Sequence, residues 1–96
     1  MHEKDLNKKM CELTVLLSQT TDPDVVYSIL RDLMTVDELL AIEQRRDIAK
    51  RIHSWETYIH IASQTGASST TIARVAKYLN WDHGGYIHLL EYISEK

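Results

Sequence analysis

The sequence has few of the features that cross-link a chain or anchor it in a membrane. Its only cysteine, Cys11, cannot form an internal disulfide, so a reducing cytoplasm is the expected setting. No apolar run approaches the ~20 residues of a membrane span. The first ten residues, MHEKDLNKKM, are too charged for a secretory signal. We therefore expect neither a secreted protein nor a membrane partner.

Motifs for catalysis and metal binding are also missing. The sequence shows no nucleophile and base pair, no phosphate-binding loop and no distinctive pair of carboxylates. No two histidines on one helix have the i, i+4 spacing with a carboxylate companion that metal sites use. The five histidines are His2, His53, His60, His83 and His88. We expect no enzyme, no metal and no other cofactor.

What is present is helical periodicity nearly throughout. Apolar residues recur at intervals of three and four, whereas no segment alternates with the period of two that is typical of a strand. With 96 residues and no Pro-rich linker, the chain is predicted to be one all-α domain, residues 1–96, of about six helices. A domain this small buries only about 60–65% of its unfolded surface, which favours a partner chain.

Local signals predict where the helices begin. Asp22 is a candidate N-cap with Pro23 at the first helical position. Thr35 and Glu38 have the spacing of a capping box before a long helix. The predicted apolar faces are Leu6, Met10, Leu13 and Leu17; Val26, Ile29, Leu30 and Leu33; Leu39, Leu40, Ile48 and Ile52; and Ile87, Leu90 and Ile93. The predicted segments are 1–34 for dimerisation, 35–54 for the long core helix, 57–79 for a helix pair and 84–94 for the last helix.

The stretch TYIHIASQTGASSTTIARVAKYL, residues 57–79, contains two helical patterns with a break between them. Gly66 lies four residues after Ala62, where a chain leaving a helix adopts a left-handed conformation that glycine takes without steric cost. Thr57 can cap the first helix, and Ser68 or Ser69 the second. Two short helices joined by a tight glycine turn form a helix-turn-helix, whose second helix enters the major groove of DNA.

The second helix of the pair also has a suitable surface for DNA. Hydroxyl side chains cluster at its start, where they and free N–H groups can meet phosphates and base edges. Residues 57–81 include no Asp or Glu, although the chain has 14 acids against 11 Lys plus Arg. The candidate DNA-binding residues are Thr57, His60, Ser68, Ser69, Thr70, Thr71, Arg74 and Lys77. A purely structural helical corner remains the alternative, and His60 can equally be a solvated histidine.

Charge is distributed unevenly along the chain. The net charge is -3, which argues against a protein coated with nucleic acid. Residues 1–48 include 10 acids and 6 bases, whereas residues 49–96 include 4 acids and 5 bases. If the protein binds DNA, the second half binds it.

Over about residues 30–93 the sequence resembles the Trp repressor family, and within it the YerC/YecD type. The resemblance rests on MTVDELLAIEQRRDIAKRI, on IASQTGASSTTIARV and on the YLN and glycine-containing loop that follow. It implies an all-helical, intertwined homodimer whose N-terminal helices interlock. It also implies a transcriptional role, as a repressor, through operator binding.

The resemblance also identifies a possible effector pocket. In the tryptophan-responsive members two arginines bracket the indole ring, and Arg45 and Arg74 occupy those places here. Thr35 matches the loop residue near the amino group of the ligand. Where those repressors have glycine, this chain has Val75, whose branched side chain is expected to fill space that the indole would use. We expect no tryptophan co-repressor. The two arginines then take part in structural ion pairs or contact phosphates.

Two functions remain open from the sequence. The first is a sequence-specific regulator that binds double-stranded DNA through the helix-turn-helix, as a cytoplasmic homodimer. The alternative is a helical dimeric interaction protein that has lost DNA binding. The acid-free motif and its hydroxyl-rich helix start favour the first, whereas the overall acidity favours the second.

Overall fold

In a computed structural model of the protein, which describes residues 3–80 and 84–94, the described chain is entirely α-helical apart from turns and loops. Six helices follow one another in these ranges: α1 (Glu3–Leu17), α2 (Pro23–Leu33), α3 (Val36–His53), α4 (Tyr58–Thr65), α5 (Ser69–Asn80) and α6 (Gly85–Ser94). The prediction of an all-α fold with about six helices is confirmed. Predicted residues outside the described part are His2, His83 and the side chain of Ile93.

The chain divides into two compact units, Met1–Val36 and Asp37–Lys96. The first contains α1 and α2. Asp22 caps α2 as predicted, since its Oδ1 accepts a hydrogen bond from the amide of Asp24 at 2.9 Å, and Pro23 takes the first turn, where an N–H has no intrahelical acceptor. That residues 1–96 form a single domain remains a prediction.

The apolar faces of α1 and α2 are largely uncovered within one chain. None of the described residues of these helices is buried; Leu6 is 49% exposed and Leu33 is 56% exposed. The prediction that Leu33 belongs to a buried face is therefore wrong for the single chain. Periodicity identifies which face of a helix is apolar, but it does not show whether the same chain supplies a surface to cover that face.

The second unit has a shared core made by α3 to α6. Ile48, Ile61 and Ile72 have no exposed surface, and each such side chain contributes about 1.5–3 kcal/mol by leaving water. The other buried residues are Ala49, Ala67, Val75, Leu79 and Leu90. Ile61 on the first arm of the motif and Ile72, Val75 and Leu79 on the second thus point into this core. On α3 and α6, by contrast, Leu40 and Ile87 are exposed, because only one stripe of each helix meets the core.

Helix α3 begins at Val36, directly after Thr35, as the predicted start requires. Its outer face is charged. Arg46 donates two hydrogen bonds to the Glu43 carboxylate, at 2.8 Å from Nε and 2.6 Å from Nη2. These bonds hold the pKa of Glu43 below its ordinary value and raise the pKa of Arg46. An exposed pair of this kind contributes at most about 1 kcal/mol, so the face is a solvated one.

Candidate nucleic-acid interface

The corner between α4 and α5 is formed by the residues that the sequence indicates. The hydroxyl of Thr57 accepts a hydrogen bond from the amide of His60 at 3.2 Å and so caps α4. Gly66 ends α4 with φ 72°, in the left-handed region, and its amide donates to the carbonyl of Ala62 at 2.9 Å. Thr65 strengthens the turn: its hydroxyl donates to the Ile61 carbonyl and accepts from the Ala67 amide.

Ser68, not Ser69, is the N-cap of α5. Its Oγ accepts a hydrogen bond from the amide of Thr71 at 3.1 Å and lies 3.0 Å from the Thr71 hydroxyl. Ser69 is then the first helical residue and Thr70 the second. The amides at these two positions have no intrahelical acceptor, because a helix leaves its first N–H groups unpaired. The start of α5 therefore presents both hydroxyls and amide donors.

The two faces of α5 have opposite character. Ile72, Val75 and Leu79 point into the core of the second unit. The candidate DNA-binding side chains are outside it: Ser68, Ser69, Thr70, Arg74 and Lys77 are exposed, and Thr71 is half-buried. The structure thus brings the predicted hydroxyls and cations of α5 together on its solvent side.

Tyr78 links the two cations of α5. The guanidinium carbon of Arg74 lies 5.5 Å from the centre of the Tyr78 ring, and the Lys77 ammonium lies 5.8 Å from the same centre. Both distances are within the ~6 Å range of cation–π attraction. Tyr78 is half-buried, and its ring lies close to both cationic side chains. Its aromatic character could have been noticed in the sequence; its contact with both cations could not.

Residues on the α4 side are tied to α3 by an ion-pair network. Glu56 accepts a hydrogen bond from Arg51 at 2.9 Å, and its carboxylate lies 3.3 Å from Nε2 of His60. Arg51 also donates to Asp47 at 3.2 Å, and its bond to Glu56 is the main cause of its raised pKa. His60 is exposed, and its ring lies beside the Glu56 carboxylate. The sequence pattern did not reveal this, because the acid-free run starts one residue after Glu56.

A second tie joins α3 to the end of α4. The side-chain amide of Gln44 donates to the carbonyl of Thr65 at 3.1 Å, across 21 positions of the sequence. This bond satisfies one of the carbonyls that the end of a helix leaves unpaired. It holds the turn against the long helix. No signal in the sequence indicates it.

A cavity of about 580 Å³ lies beside α5. Its lining includes Arg45 from α3, then Arg74, Val75 and Tyr78 from α5, and Tyr86 and Leu89 from α6. Its volume is within the range of small-molecule pockets, ~300–1,000 Å³. Val75 is 1% exposed and is one of the lining residues. Thr35, exposed directly before α3, is not among the lining residues.

Arg45 and Arg74 line this one cavity, as the predicted effector pocket requires. Both side chains are exposed. Within residues 3–80 and 84–94 neither has an ion-pair partner, so the suggestion of a structural ion pair finds no support there. Arg74 belongs to two surfaces, since it also lies on the solvent side of α5 with the candidate DNA contacts.

The sequence profile of the Trp repressor protein family matches residues 8–94. The chain belongs to the Trp repressor family. It is 30% identical over 93 residues to YerC of Bacillus subtilis (strain 168), which is described as uncharacterized, and the match covers 97% of this chain and 89% of YerC. The family resemblance predicted from the sequence is confirmed.

Two solved structures share the Trp repressor fold with this chain. A TrpR like protein from Eubacterium eligens ATCC 27750 is 33% identical with a TM-score of 0.81, covering 92% of this chain and 96% of its own. A Staphylococcus aureus protein described as a "putative Trp repressor" is 30% identical with a TM-score of 0.86, covering 100% of this chain and 97% of its own. The fold prediction thus holds over almost the whole chain.

Two further findings concern the described part of this Trp repressor-family chain. None of its helices there is apolar over a length that would cross a membrane. Its His, Cys, Asp and Glu side chains form no group of three or more suited to a metal ion in residues 3–80 and 84–94.

Proposed function

We propose that the protein is a sequence-specific regulator of transcription that binds double-stranded DNA through α4 and α5. One observation carries the proposal: the start of α5 is exposed, capped by Ser68, and rich in hydroxyls and free amides. Such a helix start is suited to phosphates and to base edges in the major groove. The proposed activity is binding alone, without a catalytic step.

The charges around the motif support the same function. Arg74 and Lys77 are exposed on α5, and residues 57–80 include no carboxylate. The nearest acid along the chain, Glu56, is paired with Arg51. A phosphate backbone approaching this surface meets donors and cations, although the whole chain is acidic.

The two cations of α5 take different roles in this proposal. Arg74 reads a base, because a guanidinium can donate two hydrogen bonds to guanine. Lys77 contacts a phosphate, which positions the helix without reading sequence. Tyr78 limits the motion of both side chains, so less of their conformational entropy is lost on binding.

We propose further that the regulator is a homodimer that acts in the cytoplasm, where the exposed thiol of Cys11 stays reduced. A symmetric dimer presents two copies of α5 and reads two half-sites one helical turn, about 34–36 Å, apart. Repression follows if such a site overlaps a promoter. The alternative, a dimeric interaction protein without DNA binding, is favoured only by the net charge of -3.

Selection from a pool of random duplexes tests the proposal directly. The full chain is incubated with the pool, bound duplexes are recovered and amplified, and the enriched sequences are compared with the input. We expect a shared motif with two related half-sites. Recovered duplexes that match the input composition, together with no retained DNA at low salt, would favour the interaction-protein alternative.

A further inference from the structure

The short segment before and at the start of α4 exposes three large apolar side chains. Ile59 is 85% exposed, Trp55 is 93% exposed and Tyr58 is about half exposed. Ile59 is the second residue of α4, two positions before Ile61, which is completely buried. Side chains two positions apart on a helix point to nearly opposite sides. Ile59 therefore faces away from the core that fixes α4.

The general docking geometry of a helix-turn-helix would bring the start of α4 to the edge of the bound groove. Helix α4 is fixed against α5, since Ile61 and Ile72 share one core. When the second helix of such a motif enters the major groove, the first helix crosses the backbone at the edge of the groove. The first turn of α4 begins at Tyr58, after the Thr57 cap, and Ile59 belongs to it.

The chemistry of Ile59 restricts what it can contact there. The isoleucine side chain has no hydrogen-bond donor, so the side chain gains nothing from a phosphate. The apolar group that the major groove presents is the C5-methyl of thymine. No acid lies between residues 57 and 80 to repel the duplex from this turn, and Glu56 is engaged by Arg51 and His60.

We propose that Ile59 packs against the C5-methyl group of a thymine in the bound duplex and so determines the preference for that base. The inference rests on the proposed DNA binding and adds a specificity-determining residue on the first helix of the motif. It makes α4 a reader of sequence in addition to a support for α5.

Replacement of thymine by deoxyuridine tests this contact, because it removes the methyl group and keeps the hydrogen-bonding pattern. The duplex selected by the natural protein is prepared with uridine at each thymine in turn, and affinities are measured by fluorescence anisotropy. The natural protein should lose about three- to fivefold in affinity at one thymine of each half-site, as expected for one buried methyl group. Uridine at the other positions should change little.

Ile59→Ala is the test variant and Ile59→Leu, with the same number of carbon atoms, is its control. Ile59→Ala should bind the thymine and uridine duplexes with equal affinity. Ile59→Leu should keep part of the difference in affinity between the two duplexes. Since Ile59 is exposed, both variants should melt within a few degrees of the natural protein by circular dichroism.

Three results would overturn the inference and leave DNA binding intact. They are the absence of thymine from the selected site, no uridine effect on the natural protein, and the same uridine effect in Ile59→Ala as in the natural protein. Loss of self-association in Ile59→Ala with unchanged discrimination would assign the surface to a second copy and also overturn it. If the natural protein binds no duplex, the proposed function itself fails.

Discussion

Gly66 and Ser68 stabilise the turn of the motif in different ways. Gly66 adopts φ 72°, which a side chain would make unfavourable. Ser68 gives a hydrogen-bond acceptor to the amide of Thr71, which would otherwise lack one at the helix start. The first residue acts on backbone conformation and the second on hydrogen bonding, so substitutions separate the two effects.

Gly66→Ala should lower the free energy of unfolding by about 1–2 kcal/mol, the cost of a left-handed conformation for an alanine. A Cβ at this position would meet nothing within 4 Å, so the cost is conformational and not steric. Gly66→Asn should cost less, because asparagine tolerates this conformation. Urea unfolding measures both, and equal stability of all three proteins would contradict the turn described here.

Ser68→Ala should lower the free energy of unfolding by about 1 kcal/mol, because it removes the cap of α5. Ser69→Ala, its matched control one residue later, should change stability by less than about 0.5 kcal/mol. Both are measured in the same urea titration. The reverse order of the two effects would make Ser69 the cap.

Residues of the site were predictable where their role is local in sequence. Thr57 and Gly66 act within four positions of their own helix, so spacing alone identifies them. The sequence left the choice between Ser68 and Ser69 open, because both precede the same apolar pattern. The bond from Gln44 to Thr65 depends on a fold that brings distant positions together, and no local pattern encodes that.

At the scale of elements, α5 joins three features of the molecule. One face fills the core, the other presents the candidate DNA contacts, and Arg74, Val75 and Tyr78 line the cavity shared with α3 and α6. The starts of α2, α3 and α4 were predictable, because at each of them a candidate capping residue directly precedes the apolar pattern. The family resemblance implied a pocket at Arg45 and Arg74, but the volume of the cavity was not predictable, because it depends on how side chains of three helices pack.

The cavity also tests whether tryptophan acts as an effector. We predict that isothermal titration calorimetry detects no tryptophan binding to the natural protein, because a branched Val75 stands in the wall beside Arg74. Val75→Gly is the comparison: it enlarges the cavity at a cost of about 1 kcal/mol in helix propensity, plus a cavity cost. Micromolar binding by the natural protein would contradict the prediction and restore Thr35, Arg45 and Arg74 as ligand residues.

At the scale of the whole molecule, the uncovered apolar faces of α1 and α2 favour a second chain. Leu33 is more than half exposed in one chain, and several apolar neighbours on these helices are only half-buried. A chain of 96 residues has little other surface with which to cover them. A homodimer built through the first three helices follows as the prediction.

Light scattering during size exclusion should give about twice the chain mass of 11.1 kDa at micromolar concentration. Leu33→Glu should shift the protein toward the monomer, because a charge buried at an interface costs several kcal/mol. Ser28→Glu, an exposed polar position on the same helix, should leave the dimer intact. A monomer for the natural protein would contradict the prediction.

The central claim, that α5 reads duplex DNA, is tested most directly by salt titrations of binding to the selected duplex and to an unrelated one. Lys77→Ala should weaken both and lower the slope of log affinity against log salt by about one. Arg74→Ala should weaken mainly the selected duplex, and Lys9→Ala, on α1, should change neither. Unchanged affinity and slope in both α5 variants would contradict the claim.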